Sequence, residues 1–407
     1  MSTDGGRRRP RLLVFNQYYW PGLEATAHLL SDLCSALADD FEITVVTGRI
    51  LVHAPEAGRF VHDGVEVIRV RSTAFDRRRL PLRAANYLSY MEESIRVGME
   101  TERPDVVLCM TDPPLIGDVA LAVAARFDVP LVVISQDVFP EMAVAVKRLE
   151  NKPLIAILRG LIGLYLRRAD RVVAIGETMR RRLEAKGVPA ERICVIPNWV
   201  DTEAIHPEER DNEWARAHGL DGRFVIMHSG NVGHAQNLDA LVRATTFLRD
   251  LDDIAVVLIG GGARLLELRE LAEVLEADPV QFHGYQPRET LSLSLSAADL
   301  HFVGLARGLS GYVVPSRLYG ILAAGKPVLV SADADSETAQ VVERVGCGIV
   351  VPPGRPDLVA EAIRAAHDGA YDLDEMGRRG RDFVVAEADR RVAVGRYREL
   401  LRETAAR

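Results

Sequence analysis

At 407 residues the chain is too long for one ordinary hydrophobic core and suits two domains of about 200 residues each. A net charge of −8 argues against general nucleic-acid binding, and the lack of any apolar run of about 18 residues argues against a spanning helix. Cys34, Cys109, Cys194 and Cys347 lie far apart without C-x-x-C spacing, which speaks against a zinc site or a disulfide framework and fits a reducing cytoplasm.

Residues 1–11, with Arg7-Arg8-Arg9 among Gly and polar neighbours, read as a disordered basic arm and not as a signal peptide. Short apolar runs then alternate with longer amphipathic ones: Leu12 to Asn16 before Ala25 to Leu37, Val106 to Met110 before Leu115 to Ala125, and Leu131 to Ser135 before a further helix. Strands at Ile43 to Thr47, Val65 to Arg69, Arg171 to Ile175 and Cys194 to Ile196 complete a first domain, 12–202. The polar, acidic stretch that follows predicts a linker at 203–222. The rhythm restarts at Phe224 to His228 and recurs at Ala255 to Ile259, Val280 to His283, Leu300 to Val303, Pro327 to Val330 and Gly348 to Val351, giving a second domain, 223–385. The last segment, 386–407, is expected as a helix packing back on the first domain. This alternation means two doubly wound α/β domains facing a cleft, with ligands at the carboxyl ends of the strands.

The segment from Val314 to Tyr319 reads as a loop running into a helix that Pro315 opens. Free N–H groups and the positive end of the helix dipole there suit an anion, Ser316 adds a hydroxyl and Arg317 a fixed charge. Gly325 and Pro327 then end the helix. The turn Ser229-Gly230-Asn231-Val232-Gly233-His234-Ala235-Gln236 has small residues that let a backbone approach a diphosphate, or is a plain β–α turn. Gly260-Gly261-Gly262-Ala263-Arg264 is neither G-x-G-x-x-G nor a Walker A sequence. Phe282-His283-Gly284-Tyr285-Gln286 also ends a strand, and His283 there is read as a packed histidine.

In the first domain, the loop holding Tyr18, Trp20, Gly22, Glu24 and Thr26 follows the first strand. Glu24 either stabilises a helix dipole or accepts a hydrogen bond from an acceptor hydroxyl. Asp137, after a very apolar strand, is favoured as a hydroxyl-orienting carboxylate, whereas Glu141 suits a helix-start role; Asp112 faces the same space. Asp333 and Asp335 read as a solvated turn and not as a metal site. Apolar residues edged by Arg at 153–171, and Arg77-Arg78-Arg79 with aromatics at 75–96, suit either an anionic membrane surface or a buried helix.

Read together, Gln136-Asp137-Val138-Phe139-Pro140-Glu141, Ala169-Asp170-Arg171-Val172-Val173-Ala174, Ile196-Pro197-Asn198-Trp199-Val200-Asp201, His228-Ser229-Gly230-Asn231-Val232-Gly233, Phe282-His283-Gly284-Tyr285 and the 314–330 segment resemble the family-4 retaining glycosyltransferases of the GT-B fold. The nearest branch in this resemblance makes bacterial surface polysaccharides and includes N-acetyl-L-fucosamine transferases. It implies a nucleotide-sugar donor, best guessed as UDP with an N-acetylated hexose, a glycan, lipid-linked or small-molecule acceptor, and no metal or other cofactor. It also implies roles for Arg317 and Asp137 in catalysis; Glu24, counted with them as a catalytic candidate, stands in the turn where the family commonly has a Gly pair. The donor would meet Gly230, Asn231, Gln236, Gly261, Gly262, Arg264, Tyr285, Gln286, Val314, Pro315, Ser316 and Tyr319. The acceptor and transferred sugar would meet Tyr18, Trp20, Gly22, Thr26, Asp112, Glu141, Gly311 and Tyr312. The chain departs from the family where Asn231 and Gln236 replace an Arg and a Lys, and where Tyr312 and Gly320 replace two glutamates. A hydrolase, epimerase or pseudo-glycosyltransferase of the same fold, and a non-catalytic partner, are the alternatives.

Overall fold

Runs of Val, Ile and Leu bounded by turn residues form fourteen strands among the residues described by the computed structural model, which are 8–22, 24–49, 57–73 and 80–406. The strands at Val106–Cys109 and Leu131–Ser135 are buried along their whole length, as expected where helices cover both faces of a parallel sheet.

One compact unit takes residues up to Glu141, Leu149–Pro197 and Val394–Arg407. Its strands are β1 Arg11–Phe15, β2 Glu42–Thr47, β3 Gly58–His62, β4 Val65–Arg69, β5 Val106–Cys109, β6 Leu131–Ser135, β7 Arg171–Ala174 and β8 Ile193–Val195. They lie in the order β3-β4-β2-β1-β5-β6-β7-β8, parallel except for β3 against β4. Sequence reading misses β3. Its hairpin turn is Asp63-Gly64, with φ of 48° and 77°, a pairing that permits the tight turn these two residues favour.

The other unit takes Met142–Arg148 and Asn198–Ala393. Its strands are β9 Phe224–Ser229, β10 Ile254–Ile259, β11 Val280–His283, β12 Leu300–Gly304, β13 Val328–Ser331 and β14 Gly348–Val351. All are parallel, in the order β11-β10-β9-β12-β13-β14. The order reverses between β9 and β12 here and between β1 and β5 in the first unit. Those switch points are where loops diverge and open a crevice.

Parts of the expected domain limits change. Residues 8–11 are docked and not loose: Arg8 pairs with Asp105 at 3.0 Å, the Arg11 amide donates to the same carboxylate at 2.7 Å, and Arg11 starts β1. Residues 1–7 and the Arg77-Arg78-Arg79 run lie outside the described residues. The segment expected as a linker is built into the second unit. Asn212 caps the helix Glu213–Ala217 by accepting from the Ala215 amide at 3.1 Å, and Trp214, Ala215 and Leu220 pack with Val225, Met227 and Ile259. The helix Arg390–Ala405 reaches the first unit from Val394 onward, where Arg398 and Arg402 bind Asp40 at 2.6 and 2.7 Å.

Candidate functional site

The loops leaving β9 and β12, on either side of the second unit's switch point, meet at Gly230 and Arg317. Gly230 has φ of 134°, and a Cβ built on it would stand 3.5 Å from Arg317 Cζ, so the guanidinium lies across bare backbone. Arg317 Nη2 donates to the Asn231 carbonyl at 3.4 Å. Its Nη1 lies 2.7 Å from His228 Nε2 and 3.0 Å from Nδ1.

His228 is fully buried on β9. Burial first, and then the Arg317 charge, depress its pKa well below the usual imidazole value, outweighing backbone hydrogen bonds with Phe302 and Asn231. A neutral ring can accept from the guanidinium, whereas a charged one would repel it. Burial also pushes Arg317 down to about 10, which leaves it cationic at neutral pH. Among the described residues no carboxylate pairs with it, so its charge is available to an anion.

The three glycines after β10 serve this arrangement through close backbone packing. A Cβ on Gly260 would fall 1.9 Å from Gly230 O, and one on Gly262 would fall 2.3 Å from Val232 O. The Gly230 and Val232 amides donate to Ile259 O at 2.9 Å and Gly261 O at 2.8 Å. Those two amides are therefore used inside the protein, and the Arg317 guanidinium is the charged group beside this turn. Tyr285 adds an exposed aromatic wall, its hydroxyl donating to Gly261 O at 3.1 Å.

Several other expected donor contacts are placed elsewhere. The helix begins at Arg317 and not at Pro315, and at seven residues, Arg317–Ala323, it is short. Ser316 stands at its cap position without a side-chain cap bond, and the Leu318 and Tyr319 amides reach Pro315 O and Ser316 O at 3.3 Å each. So short a helix adds little dipole beside the fixed charge of Arg317. Gly325, at φ of 68°, does end the helix. Tyr319 is buried in the core with Val303, Leu318 and Leu322, where burial raises its pKa. Val314 is buried as well.

Arg264 is bound to Asp239 at 3.0 Å and Glu267 at 2.7 Å. The Gln236 amide oxygen accepts from the Gly233 amide at 3.0 Å and holds its own turn. Gln286 accepts from Trp214 Nε1 at 2.9 Å and donates to Gly284 O at 3.0 Å. Gly311, at φ of 75°, and Tyr312 form a turn in which the Tyr312 amide donates to Leu309 O at 3.0 Å. Asp333 accepts from the neighbouring Gly308 amide at 2.7 Å, a loop-forming role for that acid.

In the first unit, β1 and β5 flank the switch point, and their loops are tied together by Thr26 Oγ1 donating to Asp112 Oδ2 and the Gln17 amide donating to Asp112 O, both at 2.8 Å. Tyr18 is buried, Trp20 is exposed, and the Gly22 amide turns back to Tyr19 O at 2.8 Å. Glu24 occupies the cap position of helix Ala25–Leu37 in extended geometry, yet its carboxylate makes no cap bond. Asp137 is half-buried on the loop after β6, its carbonyl accepting from Ser135 Oγ at 3.3 Å. Glu141 opens a helix after Pro140, and both its oxygens are engaged, by Lys186 at 2.6 Å and Arg159 at 3.0 Å. Burial opposes its ionisation, but these cations hold its pKa below the usual range. These pairs suit the helix-start role read for Glu141 from its position.

Two residues are given no site role by sequence reading, although His228 stands in a motif that carries the family resemblance. His228 is hidden as one polar letter in a strand, although a His three positions before Asn231 on the strand feeding the loop was a usable signal. Arg69 ends β4 and is buried.

Comparison with known proteins agrees with this geometry. Residues 25–199 match the glycosyl transferase 4-like domain and residues 210–383 match the glycosyl transferases group 1 domain. The chain is 27% identical to the probable glycosyltransferase WbjE of Pseudomonas aeruginosa over 70% of its own length and 71% of that protein. It is 30% identical to WcaI of Escherichia coli (strain K12), named for colanic acid biosynthesis glycosyl transfer, over 49% of its own length and half of that protein. In three dimensions it resembles Anabaena HepE in complex with UDP and glucose, with a TM-score of 0.74 at 16% identity, over 97% of this chain and all of that one.

Proposed function

The chain is a glycosyltransferase of the GT-B fold, and from that premise we propose that it moves a hexosyl or N-acetylhexosaminyl group from a UDP donor to an acceptor hydroxyl with retention of configuration, in the assembly of a surface polysaccharide or related glycoconjugate. UDP in the HepE structure and the colanic acid name of WcaI support the donor base and the product class. The observation that carries the reading is Arg317, cationic, without a carboxylate partner, and laid across Gly230 beside a neutral His228.

In this scheme Arg317 and Ser316 neutralise the departing diphosphate. The bond from the anomeric carbon to the diphosphate oxygen breaks as the acceptor oxygen bonds to the same carbon from the same face. The acceptor proton passes to the departing diphosphate oxygen, so no protein base, metal or other cofactor enters the scheme. Asp137 orients the donor sugar, while Glu24 and Asp112 accept from the acceptor. Mass spectrometry of products from UDP-hexoses and UDP-N-acetylhexosamines tests this: glycosylated acceptor supports transfer, and free sugar or an epimer formed without acceptor replaces it with hydrolysis or epimerisation.

We also assign the first unit to the cytoplasmic face of an anionic membrane. No described helix is long and apolar enough to cross one. The helix Lys152–Arg168, capped by Asn151 accepting from Leu154 N at 3.0 Å, buries Ile155, Ile162, Tyr165 and Leu166 but exposes Leu154, Ile157, Leu161 and Leu164 on one face. It carries Lys152, Arg159, Arg167 and Arg168 and no acidic residue. Flotation with phosphatidylglycerol vesicles should retain the wild type and lose Leu161→Glu; equal flotation of both contradicts the assignment.

A further inference from the structure

Among the described residues, the first unit holds a buried arginine without a full set of partners. Arg69 is 1% exposed at the end of β4. Its Nη2 donates to the Trp20 carbonyl at 2.7 Å, and its Cζ stands 4.9 Å from the Phe60 ring centroid. Its Nε and Nη1 are buried with no hydrogen-bond partner. Burial lowers its pKa, and no carboxylate among the described residues counters that. Buried cations are ordinarily paired, because an uncompensated one loses its hydration for nothing in return.

The surroundings provide an aromatic flank. Gly58 lies directly across the hairpin from Arg69, on the same face of the ribbon, and a Cβ built there would meet nothing within 4 Å. Trp20, 39% exposed, stacks on His62 with ring centroids 4.0 Å apart and tilts toward Phe60 at 6.3 Å. The position paired with Arg69 thus carries no side chain at this end of the hairpin. An exposed indole stands on the loop that Arg69 holds, and sugar rings pack well against such a face.

We propose that Arg69 receives an anionic group of the acceptor, a carboxylate or a phosphate, with Trp20 carrying the adjoining sugar ring. This rests on reading the first unit as the acceptor domain, and it adds that the acceptor is acidic. The ligand's charge and oxygen lone pairs would supply what the fold leaves out, through charge-assisted hydrogen bonds to the two unpartnered nitrogens. A functional group held this way lowers the stability of the free protein, so removing it should stabilise the fold.

The test titrates glucose 6-phosphate, glucuronate and neutral glucose by calorimetry into UDP-saturated wild type and Arg69→Met. At least one anion should bind ten-fold or more tightly than glucose, and Arg69→Met should abolish that preference. Preference for glucose 6-phosphate identifies a phosphate, and preference for glucuronate a carboxylate. Arg69→Met should also melt about 2–4 °C higher than wild type, the shift expected for relieving an uncompensated charge in a domain of this size. Wild type with no preference for either anion over glucose overturns the proposal, as does Arg69→Met binding both anions like wild type. UDP binding in the same samples reports separately on the glycosyltransferase reading. Its failure would remove that reading, while the anion titration, repeated without UDP, still decides for or against Arg69.

Discussion

Among the described residues neither Arg317, at the start of a helix after β12, nor Arg69, at the end of β4, has a carboxylate partner, but their surroundings differ. Arg317 rests on bare backbone at Gly230 and on a neutral imidazole, which fix its direction while leaving its charge uncompensated. Arg69 has one carbonyl and one ring face, and two of its nitrogens have nothing. The strand-end loops of the two units differ as well: glycines, amides and Tyr285 in the second unit, and Glu24, Asp112 and Asp137 in the first. A diphosphate needs a preorganised cation that backbone lets it approach, whereas hydroxyls need acceptors. The comparison therefore separates a finished electrostatic site from one that a ligand completes.

The largest expected effect is on Arg317. Arg317→Ala should lower turnover by about 10²–10³-fold, the typical loss when one preorganised charge-stabilising donor is removed, with circular dichroism unchanged. Next comes Gly260→Ala, whose Cβ would fall 1.9 Å from Gly230 O at a φ of 129°. The loop must move, and denaturant unfolding should show a loss of about 2–3 kcal/mol together with weaker UDP binding. Glu141→Gln breaks the Lys186 and Arg159 pairs. It should cost about 1–2 kcal/mol of stability and leave kcat unchanged, since these groups are only partly buried.

His228→Leu should reduce kcat/KM about ten-fold, one strong hydrogen bond's worth of positioning, while His228→Asn, which still offers an acceptor, recovers part of it. The two units should also differ in acid response, a matter of stability and not of turnover. Unfolded His228 and His301 take up protons near pH 6.5, but the folded rings do not, His301 until about 4. The unfolded state then binds more protons, so the second unit loses stability as pH falls from 7 to 5, by at most about 1.4 kcal/mol per pH unit for each ring. Asp118 in the first unit works in the opposite direction. Burial raises it to about 6, its folded form protonates first, and stability rises as pH falls from 7 toward 4. Hydrogen exchange at pH 7 and 5.5 should show protection falling in β9 and β12 more than in β5.

Much of this was legible in the sequence. Buried parallel strands leave continuous apolar runs, so both sheets and the loops at their ends could be located from pattern alone. Side-chain direction was harder. Arg317 and Tyr319 are two positions apart on a helix, roughly 200° around its axis, so both could not face one site, and Tyr319 goes to the core. Gly233 and Gln236 have the spacing of a capping box, which explains why the glutamine turns inward. The His228–Arg317 contact joins residues 89 positions apart and has no local pattern. Arg69 reads as an ordinary charged strand end, and only its burial and missing partners set it apart.

The central claim is that Arg317 supplies the charge for a nucleoside diphosphate. Titration calorimetry of UDP and of uridine into wild type and Arg317→Ala tests it most directly, because the two ligands differ only in the diphosphate. UDP should bind wild type and lose about 100-fold or more in affinity in the variant, while uridine binds both alike. Equal UDP affinity in wild type and a folded Arg317→Ala would contradict the account.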